Sequence, residues 1–570
     1  ISSAAFIPFV FLTLKKFLEK TTLTNALLFS TSLGLLFLCG YPTFFIYTSY
    51  IIIAILVFAA VLHFKDKPSP VNFKTAGLLA VAIIIFCCIC SPAIISYWEF
   101  LPYYSRGMGI TVAKAAQNPF TPFSSVSFIL PNVVNKNHAW LDTDPSMRNA
   151  YVGLFVFLLF CLSLFSKYNR WQKLLLGITV FSFLLSLGSV TPLHKLCYAV
   201  LPLFNTFRHP GNIRLFTSMG IILLAACYAQ KLAQMSREET KRKILLLLYI
   251  VTGVLGLTAV YCLFQDDVWK NIVAAFRHIR QPKAFLDEFT FTSFLLTQCV
   301  AQICFIVLLA YQLRKKVLNK KIMAALVAFN SLLFCWIAIP FTFVSQLKTS
   351  TINQYVQSFP PGYPPPDINA SVEAGVISDS TIISLYGYAN FYTKKITIQD
   401  HIITPTLNKD YESFCADKKL RSAMSDYPVA WLNDTLVAAT PGALIAGKRF
   451  SIYSGKGPMP SITASNEQGV VRLTGFKPYS FTLQVNPGRP TVLSIFQQYH
   501  HNWKVKVNGE ETPLLKMNIA FMGVQVPAGE SVVEFVYKPT RVITAIWLSI
   551  ITIFIVALFI ILSAFKSKKQ

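Results

Sequence analysis

Two short stretches of this chain gather the residue types that acid–base and phosphate chemistry require. The first, Tyr97-Trp98-Glu99-Phe100-Leu101-Pro102-Tyr103-Tyr104-Ser105-Arg106, sets a carboxylate and a guanidinium just past the end of an apolar run. Glu99 is a base for a hydroxyl nucleophile and Arg106 a cation for a phosphate leaving group, which is what glycosyl transfer from a lipid phosphate needs. The same two side chains can instead pair with each other and do no chemistry. The second stretch runs from Leu203 to Arg214 and places Arg208, His209 and Arg214 where a loop re-enters an apolar run. Cations there neutralise a lipid phosphate, or they merely anchor the chain to headgroups.

What must position these groups is a ladder of apolar runs, at 23–40, 41–62, 76–96, 150–164, 174–187, 213–228, 244–264, 291–313, 322–344 and 543–565. Their lengths suit bilayer crossings, with 150–164 and 174–187 short. Ile1 to Leu14 reads as the tail of one more span, and the missing initiator Met leads to the expectation that sequence precedes it. Basic residues cluster on alternate loops, at Lys15 to Lys20, Lys65 to Lys74, Lys167 to Lys173, Lys231 to Lys243, Arg314 to Lys321 and Lys566 to Lys569. Cytoplasmic flanks are the basic ones. Segments 97–149, 189–212, 265–290 and 345–540 are therefore expected outside.

These clusters account for most of the formal net charge of +26, so the basic balance is topological and argues against a nucleic-acid partner. A hydrophobic content of 54% with 13% charged residues agrees with an integral membrane chain. The middles of the runs carry essentially no Asp, Glu, Lys, Arg or His, which argues against an ion-coupled transporter. Nothing resembles a ring of channel filter residues. Most cysteines lie inside the runs, where a thiol behaves as a small apolar side chain. Cys415 is alone in the large outer segment, so no disulfide forms within it. No residue spacing supports a metal or other cofactor, and His138 reads as a solvated loop residue.

Leu193, Leu196, Val200 and Leu201 follow Pro192 at helical spacing and Pro202 closes that helix. Trp269, Ile272, Val273, Phe276 and Ile279 make an apolar stripe opposite Lys270, Arg277 and Arg280, capped by Asp266 or Asp267. Both helices are expected to lie on the membrane surface against anionic lipids. Past Ser345, a proline-rich linker precedes a mixed region with a strand at 381–386 and a helix at 411–424. Strands at 472–474, 481–485, 491–497, 503–507, 520–526 and 531–537 then alternate or run apolar between Gly, Pro and Asn, with Asn508-Gly509 as a hairpin turn. The expected product is a β-sandwich. It would bind glycan through Tyr499, His500, His501 and Trp503, although core packing suits Trp503 better and His500 and His501 fall on opposite faces of a strand.

The fold class that follows is a polytopic α-helical membrane protein with a C-terminal extracytoplasmic β-sandwich closed by a last transmembrane helix. Its parts are a multi-span domain at 1–345, a linker and mixed region at 346–445, the sandwich at 446–540, and a final helix with basic tail at 541–570.

The order of several motifs carries a resemblance. Gly40-Tyr41-Pro42 lies between two runs, and Phe100-Leu101-Pro102 precedes Ser105-Arg106. Tyr151-Val152-Gly153 opens a run, and Phe207-Arg208-His209-Pro210-Gly211 precedes Arg214. Asn502-Trp503-Lys504-Val505-Lys506-Val507-Asn508-Gly509 stands before the last helix. Over nearly all of its length the chain resembles the YfhO family of bacterial membrane proteins. That resemblance implies a GT-C-like architecture and transfer of a sugar from a polyprenyl-phosphate donor to a cell-envelope acceptor glycan on the outer face of the membrane. It also implies lipid-phosphate binding at Arg106, Arg208, His209 and Arg214. The family's key acidic residue sits in a first outer loop expected upstream of residue 1, which leaves Glu99 as the candidate base here. The competing expectation is a non-catalytic scaffold or lipid-substrate flippase whose sandwich recruits a glycan or partner.

Overall fold

Apolar runs become helices where caps and unbranched side chains allow it: α1 Ser2–Glu19, α2 Leu23–Leu38, α3 Pro42–Phe64, α4 Phe73–Phe100, α5 Val112–Ala115, α6 Leu154–Ser163, α7 Arg170–Ser186, α8 Pro192–Val200, α9 Arg214–Leu232, α10 Arg237–Leu263, α11 Asp266–Arg277, α12 Phe291–Arg314 and α13 Lys320–Thr342. The computed structural model describes residues 2–64, 72–105, 107, 109–232, 234, 237–277, 288–315, 320–342, 408–424, 427–428, 430–439, 449–462, 469–477 and 479–569. Six described helices are long and apolar enough to cross a bilayer, at Pro42–Phe64, Phe73–Tyr103, Pro210–Leu232, Lys241–Leu263, Phe291–Arg314 and Thr540–Phe565. Leu23–Leu38, Leu154–Ser163 and Ala324–Ala338 are shorter apolar helices. The run 150–164 falls short for a local reason. Gly153, at φ +95°, delays the helix to Leu154, and ten residues rise only about 15 Å against ~30 Å of hydrocarbon.

The chain forms two compact units, one of Ile1–Pro8, Cys39–Thr75 and Gly109–Val344, the other of Phe9–Leu38, Ala76–Met108 and Ser345–Gln570. In the first, Leu158, Tyr228, Leu248, Cys299 and Leu309 build a helical core that also takes in Leu130 and Val133 from an irregular segment of short 3-10 turns. Irregular backbone inside a helical core needs partners for its polar groups. Gln298 and Gln302, one turn apart on α12, supply them: Gln298 Oε1 accepts from the Asn132 main-chain N–H at 3.0 Å and Gln302 Nε2 donates to the Ile129 carbonyl at 2.7 Å. Asn330 on α13 donates to Gln302 Oε1 at 3.0 Å.

In the second unit, the final helix α16 (Thr540–Lys569) follows α14 (Lys409–Ala416), α15 (Lys418–Ala423) and the strands β1 Ala430–Leu432, β2 Thr435–Val437, β3 Phe450–Ile452, β4 Val470–Lys477, β5 Ser480–Asn486, β6 Thr491–Gln498, β7 Trp503–Val507, β8 Glu510–Thr512, β9 Leu515–Met517, β10 Phe521–Val526 and β11 Ser531–Tyr537. Two open sheets, ordered β1-β6-β10-β9 and β4-β5-β11-β7-β8, share a core. Leu493, Ile495 and Val524 from one meet Phe481, Val505, Val533 and Phe535 from the other. Strand β6 is buried along its first six residues because its other face is covered as well, with Trp431, Phe496 and Phe521 packing on Tyr411, Phe414, Leu420 and Met424. That explains why it reads as a continuous apolar run rather than an alternation. Asn508 and Gly509 both take positive φ, 52° and 86°, as a two-residue hairpin turn demands. The helix expected at 411–424 is two helices, because the Asp417 carboxylate accepts from the Leu420 main-chain N–H at 2.9 Å and starts α15. The strand expected at 381–386 lies outside the described residues.

Hydroxyls fasten α4 to α16 within this unit. Ser91 donates to the Ala545 carbonyl at 3.0 Å and Ser549 to the Ile89 carbonyl at 2.6 Å. Pro92 lacks the N–H that would bond the Cys88 carbonyl, and that carbonyl lies 2.8 Å from Ser91 Oγ, whose single proton is shared between it and the Ala545 carbonyl. The last turn of α4, which carries Glu99, is thereby held against the first turns of α16.

Candidate functional site

Each unit holds one of the two residue groups picked out in the sequence. In the first unit the segment before α9 is a strained turn. His209 has φ +69° although it is neither glycine nor free of the proline that follows it, a backbone state that costs about 1–3 kcal/mol. Its surroundings hold it there. Asn118 Nδ2 donates to His209 Nδ1 at 3.0 Å, which leaves the ring proton of the neutral form on Nε2. The Ile110 N–H donates to the Asn205 carbonyl at 2.8 Å, and Tyr198 Oη donates to the Ile110 carbonyl at 2.6 Å. Gly211 has no room for a side chain, since a Cβ would come within 3.0 Å of the Asn118 carbonyl oxygen and of Met147 Cβ.

Arg214 does most to set this turn. Its Nε donates to the Asn149 carbonyl at 2.7 Å, one terminal nitrogen to the Gly211 carbonyl at 2.6 Å and to Met147 Sδ at 3.4 Å, and the other to the Ser146 carbonyl at 2.6 Å. A guanidinium has five N–H groups, so main-chain acceptors and one sulfur take most of them. Arg214 therefore positions this turn, and the lipid-phosphate contact expected of it would have to share a fork that is mostly taken. Arg148 is likewise buried and donates to the Thr143 carbonyl at 2.9 and 2.7 Å. Arg208 is half-buried.

The same clamp brings in a carboxylate that sequence reasoning left without a role. Asp144 starts the turn Pro145–Met147 whose Ser146 and Met147 meet Arg214. Hydrogen bonds from Ser146 hold its carboxyl below the usual carboxylate range, and the nearby charges of His209 and Arg148 act in the same direction. The sequence signal available was the Asp-Pro-Ser capping pattern.

In the second unit Glu99 is buried at the end of α4, and Asn502 Nδ2 donates to its Oε2 at 2.8 Å. It lines a recess of about 250 Å³ together with Asn408, Gln497, Gln498, Tyr499 and Tyr537. His500 also borders the recess and hydrogen-bonds to the Glu99 main chain. Arg106 lies outside the described residues.

His500 and His501 sit not on a strand but in the turn between β6 and β7. The expectation that they face opposite ways is overturned. Their rings stack at 4.3 Å, Tyr103 lies 5.0 and 6.2 Å from the two ring centres, and Tyr103 Oη is 3.3 Å from His501 Nδ1. The strand ends at Gln498, so the two-residue periodicity no longer applies. Trp503 packs in the core against Phe481 and Tyr537, as its neighbourhood implied. His138, expected to be solvated, is wedged between Trp140 and Phe291 with ring centres 4.5 Å from each.

Burial pushes His500 down to about 4, the charge of His501 adds to this, and Glu99 opposes it. Its Nδ1 accepts from the Asn502 main-chain N–H at 3.2 Å, a bond that only the unprotonated nitrogen makes. An unfolded histidine titrates near 6.5. Between that pH and about 4 the native state binds fewer protons than the unfolded one, so stability present above pH 6.5 is lost as pH falls through this window. Thermal unfolding of the whole chain from about pH 7 to about pH 4.5 should show the midpoint dropping, and His500→Gln should flatten part of that slope. An unaltered slope in the variant would assign the acid sensitivity to other groups.

Among the described residues no three His, Cys, Asp or Glu side chains gather as a metal ligand set. Residues 461–549 match the family model described as bacterial membrane protein YfhO. No curated protein and no solved structure matches the chain. The matched stretch runs through β4 to β11 and into α16, and includes Asn502, Trp503 and the Asn508-Gly509 turn. Over this segment the chain is similar to the YfhO family of bacterial membrane proteins, the family that its motif order resembles.

Proposed function

We propose that this protein is a membrane glycosyltransferase that moves a sugar from a polyprenyl-phosphate donor to a cell-envelope glycan on the outer face of a bacterial cytoplasmic membrane. The observation that carries the reading is Glu99. It is a buried carboxylate at the end of a membrane-length helix, oriented by Asn502 and opening on a recess of amides and aromatic rings. In the reaction an acceptor hydroxyl oxygen bonds to the anomeric carbon as its bond to the phosphate oxygen breaks. The phosphate leaves with that electron pair, and the hydroxyl proton passes to Glu99. Lipid-phosphate binding is proposed separately for Arg208 and His209 of the first unit, on the turn that Arg214 fixes, and for Arg106. The sidedness follows from the alternate basic flanks.

Charge reversal at Arg208 tests the phosphate role. Arg208→Glu should abolish envelope glycan modification in cells while the protein inserts at its normal level. Unchanged glycan would remove this reading and favour a membrane scaffold or flippase.

A further inference from the structure

The recess at the end of α4 has a composition that selects its occupant. One carboxylate (Glu99), three amides (Asn408, Gln497 and Gln498) and a serine hydroxyl (Ser96) supply polar groups beside the His500 imidazole and the tyrosine hydroxyls, and no Lys or Arg lines it among the described residues. Side-chain amides both donate and accept, as vicinal hydroxyls do, while a carboxylate makes charge-assisted bonds to hydroxyl donors. Tyr499, Tyr537 and Phe100 add half-buried ring surface against which the C–H face of a sugar can lie. Asn502 holds Glu99 Oε2 at 2.8 Å, so the carboxylate does not need to be ordered by the ligand. The volume, about 250 Å³, is near the lower end of the range for small-molecule sites, ~300–1,000 Å³, and suits one ring rather than a chain.

We propose that this recess is a binding subsite for a single uncharged sugar ring, which Glu99 and the surrounding amides recognise through its hydroxyls. An anionic ring is disfavoured, because its charge would meet the Glu99 carboxylate with no lining Lys or Arg among the described residues to offset it. His500 does not supply that cation near neutral pH, since it stays unprotonated until about pH 4. Assigning the ring to the acceptor glycan rests on the transfer reading above, whereas the binding itself does not.

The test is a saturation-transfer NMR titration of the full chain in lipid nanodiscs with methyl β-D-glucopyranoside, methyl β-D-galactopyranoside and methyl β-D-glucuronide. The neutral glycosides should bind in the millimolar range and the glucuronide about tenfold more weakly or worse. Glu99→Gln and, separately, Gln497→Ala should each weaken the neutral glycosides about fivefold, with Gln497→Ala serving as the check should the first variant fold poorly. Absence of binding by both neutral glycosides, equal binding of the glucuronide, or full binding in both variants overturns the subsite. Loss of glycan transfer in Glu99→Gln without glycoside binding by the wild type would sink the subsite and leave the transfer reading. Glycoside binding as expected, with glycan modification intact in Glu99→Gln, would do the reverse.

Discussion

Glu99→Gln should lower envelope glycan modification by about 100-fold or more, the usual contribution of a positioned general base, while the protein keeps its level and its thermal midpoint. The substitution preserves shape, and the new amide oxygen can still accept from Asn502 Nδ2, which lies 2.8 Å from the native carboxylate. It removes the negative charge and the capacity to take up a proton. Transfer measured with purified protein and a radiolabelled polyprenyl-phosphate sugar separates this from an expression effect. Retention of even half the wild-type rate would leave Glu99 as a structural partner of Asn502 and move the base elsewhere, with Asp144 the carboxylate next to examine.

Arg214→Ala should have the largest effect on stability. The change strips the carbonyls of Ser146, Asn149 and Gly211 of their guanidinium donors together, and an acceptor left without a partner in a buried place costs about 1–3 kcal/mol. Together with the lost packing on Met147, a total of about 3–5 kcal/mol is expected, read as a fall in the unfolding midpoint of the purified protein. Arg214→Lys should restore little of it, because an ammonium cannot span three acceptors in the plane that the guanidinium fork does. A stable Arg214→Ala protein would mean that the guanidinium is available to a ligand after all.

Local chemistry made some of this legible in the sequence. The strands β5, β6, β7, β10 and β11 announce themselves by alternation or an apolar run, by β-branched and aromatic residues and by the Asn508-Gly509 turn, all properties of neighbouring residues, whereas the three-residue strands β8 and β9 are too short to leave a pattern. Helix α8 is bounded by prolines, and α11 by an acidic start and a basic end, for the same reason. Longer-range facts leave no such mark. Glu99 and Asn502 meet across 403 positions, and nothing in the spacing around either records the other. The pairing of Gln298 and Gln302 with the main chain of Asn132 and Ile129 is equally silent, since two glutamines in an apolar run look like tolerated polar residues until the irregular segment is seen beside them. The parts at 1–345, 346–445, 446–540 and 541–570 follow sequence order, whereas compactness groups α2, most of α4 and α16 with the β-rich region, as in the hydrogen bond from Ser549 to Ile89. The histidine pair was misplaced by extending a strand period two residues past its end.

The account depends above all on which face of the membrane the recess of Glu99 meets. The direct measurement is labelling of intact cells with a membrane-impermeant maleimide, using single cysteines placed at the exposed positions Lys504 and Arg242 in a background freed of native cysteines. Lys504→Cys should react in intact cells and Arg242→Cys only after the membrane is opened. Labelling of Arg242→Cys from outside, or protection of Lys504→Cys until lysis, would contradict the account, because no lipid-linked sugar could then be transferred to the envelope from this site.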